Sequence, residues 1–106
     1  MIYGYIRDSL GSEQHIEKQK QMIGDVDELI IDTDKSKLKA LLENVKSGDS
    51  IRISDLNRIT RKIDESFRLY EYLSEKGVAL YINGEKFKPL SNKMVNIITA
   101  IKEVWA

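Results

Sequence analysis

Hydrophobic spacing in this chain switches repeatedly between the two-residue period of strands and the 3.6-residue period of helices, and that switching limits the fold more than any other feature. Residues 2–7, IYGYIR, read as a first strand. Ser12 is placed to N-cap a helix over about 13–23 that stops at Gly24. ELIID at 28–32 reads as a second strand. Leu38, Leu41, Leu42 and Val45 then form one helical face within a helix over about 35–46. After the Gly48-Asp49 turn, SIRISDL at 50–56 alternates as a third strand. A helix from about 59 or 63 to 76 ends at Gly77, and VALYI at 78–82 reads as a fourth strand. Asn83-Gly84 is a hairpin signal that can turn EKFKP back as a short fifth strand, and Pro89 marks a break before a final helix from about Ser91 to the end. Strands alternating with helices of roughly 10–15 residues imply a mostly parallel sheet of four or five strands, covered on both faces in a three-layer α/β/α arrangement. The expectation is a single domain spanning residues 1–106.

Composition removes several function classes. With no cysteine and a single histidine, His15, neither a disulfide framework nor a thiolate or multi-histidine metal centre is available. The lack of cysteine is compatible with a reducing cytoplasm, which is the expected location. No apolar run approaches the roughly 18 residues that would span a membrane, and MIYGYIRD does not look like a secretory signal. Seventeen basic and seventeen acidic residues give a formal net charge of zero. Any contact with nucleic acid must therefore come from a local patch or from another segment.

Two short stretches could carry chemistry. In a strand, residues two apart share a face, so Arg7 and Ser9 are expected to point the same way at the end of the first strand, with Asp8 on the other side. Ligands of open α/β sheets bind at that edge. A serine there is either a turn residue or a nucleophile beside an anion-holding arginine. The second stretch, DLNRITRK at 55–62, places Arg58 and Arg61 at i and i+3, on one face if the segment is helical. Paired guanidiniums match phosphate oxygens, and a cationic helix start opposes the macrodipole unless an anion is bound. The final helix carries a stripe of Met94, Ile97, Ile98, Ile101, Val104 and Trp105, which packs either on its own sheet or on a partner helix. Neither a P-loop nor a GxGxxG motif is present, and Asp8, Asp32, Asp34 and Asp55 are too scattered to favour a receiver-type or two-metal site.

Taken in order, YGYIRDS, EKQ, LKALLENVKSGDSI, LNRITR and GVAL resemble the catalytic domain of the serine recombinases, the resolvase/invertase family, over essentially the whole chain. The resemblance implies an α/β resolvase-type fold whose last helix begins a long dimerisation helix. The family's nucleophile falls on Ser9, its strand-end arginine on Arg7 and its paired arginines on Arg58 and Arg61. A supporting glutamine falls on Gln19, and another on Gln14 across a spacing about one residue off the usual pattern. Lys35 stands where the family has an arginine, Asn57 where it has an acid, and Asp8 where an apolar residue is usual.

The activity implied is site-specific DNA cleavage and rejoining through a 5′-phosphoserine link, with no cofactor. The partners implied are double-stranded DNA and further copies of the chain, as dimer or tetramer through the C-terminal helix. A DNA-binding domain of the kind that follows in the family is not contained in these residues. The substitutions at Asn57, Lys35 and Asp8 leave a second reading open, a catalytically weakened relative acting as a regulatory or oligomerisation module.

Overall fold

The computed structural model describes residues 1–88; the expected helix from Ser91 onward and its apolar stripe lie outside the described residues. Five strands form one sheet: β1 (Ile2–Arg7), β2 (Glu28–Asp32), β3 (Ser50–Ile53), β4 (Ala79–Ile82) and β5 (Glu85–Lys86). The spatial order is β2-β1-β3-β4-β5. All pairings are parallel except that of β4 with β5, which is antiparallel. The hairpin joining those two strands is built as its sequence requires: Asn83 and Gly84 both have positive φ, 47° and 84°.

Helix α1 (Glu13–Ile23) covers one face of the sheet, while α2 (Leu38–Asn44) and α3 (Ile63–Lys76) cover the other. Alternation along β1 separates the two interiors. Gly4 faces Ile23, Val26 and Leu29 on the α1 side. Tyr5 joins Leu38, Leu41, Ile51, Ile53, Leu73 and Leu80 in the larger core on the α2 and α3 side. Each such aliphatic side chain, fully buried, contributes roughly 1.5–3 kcal/mol. The arrangement is a three-layer, resolvase-like α/β fold with a mostly parallel sheet.

Several expected boundaries move. The second helix begins at Leu38 rather than near residue 35, because Lys35 has φ 70° and the buried Asp32 carboxylate accepts the Lys37 N–H at 2.9 Å. It ends at Asn44 because Val45 is extended, with ψ 146°. The third strand stops at Ile53 instead of running to residue 56, and Leu56–Arg58 form a separate 3-10 turn. The next helix starts at Ile63, so Arg58 and Arg61 do not share a helix face. Its first turn carries Asp64 and Glu65, which suits the macrodipole, so the expected clash of positive charge with a helix start does not arise.

Helix α3 ends in a Schellman motif: Gly77 N–H donates to Ser74 O at 3.0 Å and Val78 N–H to Leu73 O at 2.8 Å. Gly77 has φ 77°, and a Cβ there would lie 2.6 Å from Ser47 Oγ and 3.4 Å from Ser47 Cα. Gly77→Ala is therefore expected to destabilise the domain by about 2 kcal/mol. A lowered urea midpoint with an unchanged m-value checks this; an unaltered midpoint contradicts it.

Candidate active site

The topology alone marks one edge. From β1 the chain moves outward to β2 through α1 on one face, then returns past β1 to β3 through α2 on the other. The connections thus diverge between β1 and β3, and the crevice beyond the carboxyl ends of those two strands is where doubly wound folds bind ligands. Arg7 ends β1, and residues 54–58 follow β3.

At that edge the two segments are cross-linked by their own arginines. Arg7 Nε donates to Arg58 O at 3.0 Å, and Arg7 Nη2 donates to Asn57 O at 3.1 Å. In return, Arg58 Nη1 donates to Arg7 O at 3.1 Å. Gln19, buried on α1, closes the unit from the other side, accepting the Arg7 N–H at 3.3 Å and donating Nε2 to Arg7 O at 3.1 Å. Two guanidiniums can sit this close because each faces carbonyl dipoles. Arg58 also has an anion beside it: its Nε lies 3.1 Å from Asp55 Oδ2 and 3.4 Å from Ser54 Oγ.

Ser9 lies just beyond Arg7 in an exposed turn closed by Gly11 N–H to Asp8 O at 3.1 Å. Because β1 stops at Arg7, strand alternation does not extend to Ser9, and the shared-face expectation gives way to a turn placed at the sheet edge. Asp8 points toward α1. Its Oδ2 accepts the Ser12 N–H at 2.7 Å, and its Oδ1 lies 3.4 Å from His15 Nδ1. Ser12 occupies the N-cap position but its hydroxyl makes no cap bond; the helix start is stabilised by Asp8 instead. The Ser12 N–H first, and His15 second, hold the Asp8 carboxyl below its ordinary value of 3.8. Asp8, His15, Lys18, Gln19, Met22, Asp55 and Arg58 line a cavity of about 430 Å³.

The side chains of the other expected residues make no hydrogen bond to this cluster among the described residues. Gln14 is exposed on α1, and Asn57 contributes its main-chain carbonyl while its side chain is exposed. Arg61 is exposed in the bend before α3. Lys35 lines a different groove of about 540 Å³ between α2 and α3, with Leu38, Leu42, Ile59, Thr60 and Arg68 among its walls. Next to Arg61, the Thr60 hydroxyl donates to Glu65 Oε2 at 2.6 Å and accepts the Lys62 N–H at 3.1 Å.

Sequence reading assigned no role to Tyr5 and left Asp32 and Asp55 as scattered acids. Asp32 accepts from the Tyr5 hydroxyl at 3.0 Å, Ser36 Oγ at 3.3 Å, Thr33 N–H at 2.9 Å and Lys37 N–H at 2.9 Å. Burial first, and the Asp32 bond second, push the Tyr5 hydroxyl well above its ordinary pKa. A signal was present for Asp55, since a carboxylate three residues before an arginine meets it on a 3-10 turn.

The chain matches the family model described as the resolvase N-terminal domain over residues 2–106. It belongs to the resolvase family. Among its relatives are the resolvase of transposon Tn501 from Pseudomonas aeruginosa and that of transposon Tn1721 from Escherichia coli. Each is 32% identical over an alignment of 79 residues, with 68% of this chain and 42% of the relative covered. The Tn4653 resolvase of Pseudomonas putida matches to the same extent. The chain thus spans about two fifths of the length of these relatives. Among the described residues no helix is long and apolar enough to cross a membrane.

Asp8 is expected to contribute to the acid sensitivity of this resolvase-family domain. A carboxyl held low in the folded state contributes stability above its unfolded pKa and loses it as pH falls through the folded value. Asp8→Asn is expected to flatten the part of the stability profile that falls below about pH 4, as followed by thermal melts at a series of pH values. An identical acid limb in the variant would contradict the assignment.

Proposed function

We propose that this chain is the catalytic part of a site-specific DNA recombinase, with Ser9 as its nucleophile. The observation that carries the reading is the meeting of Arg7 and Arg58 at the carboxyl edge of β1 and β3, with Ser9 exposed in the adjoining turn. In this mechanism the Ser9 Oγ attacks a phosphodiester of double-stranded DNA. The Oγ–P bond forms, the P–O3′ bond breaks, the hydroxyl proton leaves Ser9 and the 3′-oxygen gains one. The phosphoserine link retains the energy of the broken ester, so rejoining is the reverse attack by a 3′-hydroxyl and requires no nucleoside triphosphate or other cofactor.

Charge on the five-coordinate phosphorus falls to guanidiniums. Arg58 offers Nη2, which meets no acceptor among the described residues, and the exposed Arg61 is a second cation three residues on. Arg7 acts through the frame, because two of its nitrogens hold the carbonyls of residues 57 and 58. Gln19 holds the main chain of Arg7 in turn. Gln14 and Lys35 complete the proposed set as outlying polar groups. The intact protein would act in the cytoplasm as a dimer or tetramer joined through its C-terminal helix.

The test is a covalent adduct between the intact protein and a duplex carrying its cleavage site. Ser9→Ala is expected to abolish the adduct while leaving the fold intact. Arg58→Ala is expected to slow its formation on the order of 100- to 1,000-fold. An adduct that survives Ser9→Ala would sink the assignment.

A second reading, a regulatory or oligomerisation module, draws on the exposed Asn57 side chain and on Lys35 lining a different groove from the one that Arg58 lines. It is favoured if Ser9→Ala leaves the biological effect unchanged.

A further inference from the structure

We infer that Asp55 is the positioning residue that aims Arg58, supplying from three residues upstream the anionic partner that residue 57 does not provide. The inference rests on the recombinase reading for its catalytic consequence, and on geometry alone for the contact itself. Asn57 adjoins Arg58 in sequence, but its side chain is exposed and only its carbonyl enters the site. Asp55 Oδ2 instead lies 3.1 Å from Arg58 Nε.

The backbone explains why. Leu56–Arg58 form a 3-10 turn, closed by Arg58 N–H to Asp55 O at 3.2 Å. Side chains three apart eclipse on such a turn, so residue 55 rather than 57 is brought over Arg58. The 3-10 turn that cancels the expected Arg58 and Arg61 helix face therefore creates the Asp55 pair.

The manner of pairing matters as much as its presence. Asp55 takes Arg58 by Nε and not through the two terminal nitrogens. Its other oxygen, Oδ1, is enclosed and meets no donor among the described residues. Arg58 Nη1 is held by Arg7 O. The guanidinium is thus fixed at two of its nitrogens, Nε and Nη1, and Nη2 is left to meet a phosphate oxygen. A forked carboxylate pair would have consumed that nitrogen. The remaining charged groups around the same cavity are Asp8, His15 and Lys18, and Asp8 is engaged with the start of α1.

Two measurements on Asp55→Asn and Asp55→Glu, read together, decide the inference. The first is the Arg58 Nε–H resonance in the folded chain, which is expected to be slowly exchanging in wild type. It should shift and exchange faster in Asp55→Asn, and be largely restored in Asp55→Glu. The second is the rate of adduct formation by the intact protein. Asp55→Asn is expected to lower it on the order of 100-fold, because an ångström of misplacement has that effect, with DNA affinity within about twofold of wild type, since no phosphate-contacting charge is removed. Asp55→Glu should recover most of the rate.

An unchanged Arg58 resonance in Asp55→Asn overturns the inference even if the rate falls. A shifted resonance with a wild-type rate overturns it as well. If wild type itself forms no adduct, the recombinase reading fails, and the resonance still decides whether Asp55 holds Arg58.

Discussion

The geometry of the candidate site depends on one exchange between two arginines. Arg7 reaches from the end of β1 to the carbonyls of Asn57 and Arg58, and Arg58 reaches back to the carbonyl of Arg7. A three-residue 3-10 turn satisfies few of its own main-chain groups. Without Arg7, the carbonyls of residues 57 and 58 would lose charge-assisted bonds worth roughly 1.5–3 kcal/mol each. The segment after β3 therefore takes its position from β1, and a change at either arginine is felt at the other. Such a lock is possible only because the return of the chain through α2 puts β3 next to β1.

Acidic residues around this edge make the pattern of charge more specific than a net charge of zero suggests. Asp8 is turned to the start of α1, where an anion suits the helix dipole. Asp32 is buried under four donors that build the loop before α2. Asp55 holds Nε of Arg58. Each carboxylate is matched to a local donor, while the exposed Arg61 and the Nη2 group of Arg58 meet no acidic partner among the described residues. Donors left for an anion at this edge thus follow from how the acids are engaged, which no count of charges reveals.

Much of the fold was legible because the signals were local and strong. The strand at residues 2–7, the helix at 13–23 with its Gly24 stop, and the Asn83-Gly84 hairpin all appear where the pattern put them. Boundaries failed where a side chain from elsewhere in the loop intervened. Asp32 captures the Lys37 N–H and delays α2, and the 3-10 turn at Leu56–Arg58 cuts β3 short. For the site, the importance of Arg7 and Arg58 could be seen in the sequence, but not that they bind each other's main chain. That contact spans 51 residues and depends on the strand order. Asp55 was missed because residues 50–56 read as one strand, whereas β3 ends at Ile53 and the 3-10 turn at Leu56–Arg58 brings residue 55 over Arg58.

The spread of the remaining groups is compatible with a single phosphate site on grounds of chain length alone. Ser9 is two residues from Arg7, so their Cα atoms are at most roughly 7 Å apart. Arg61 is three residues from Arg58, which limits that pair to roughly 11 Å. Arg7 itself touches residues 57 and 58. Ser9 and Arg61 are therefore tethered by short segments to the two chain segments that the arginines join. Lys35 stands at a left-handed position in the wall of a separate groove, three residues beyond Asp32, which pairs with Arg7 in the sheet. The hydrogen-bonded frame of this edge therefore comprises Arg7, residues 54–58 and Gln19, and the loop that carries Lys35 is joined to the same edge by the Asp8 N–H donating to Asp32 O at 3.1 Å.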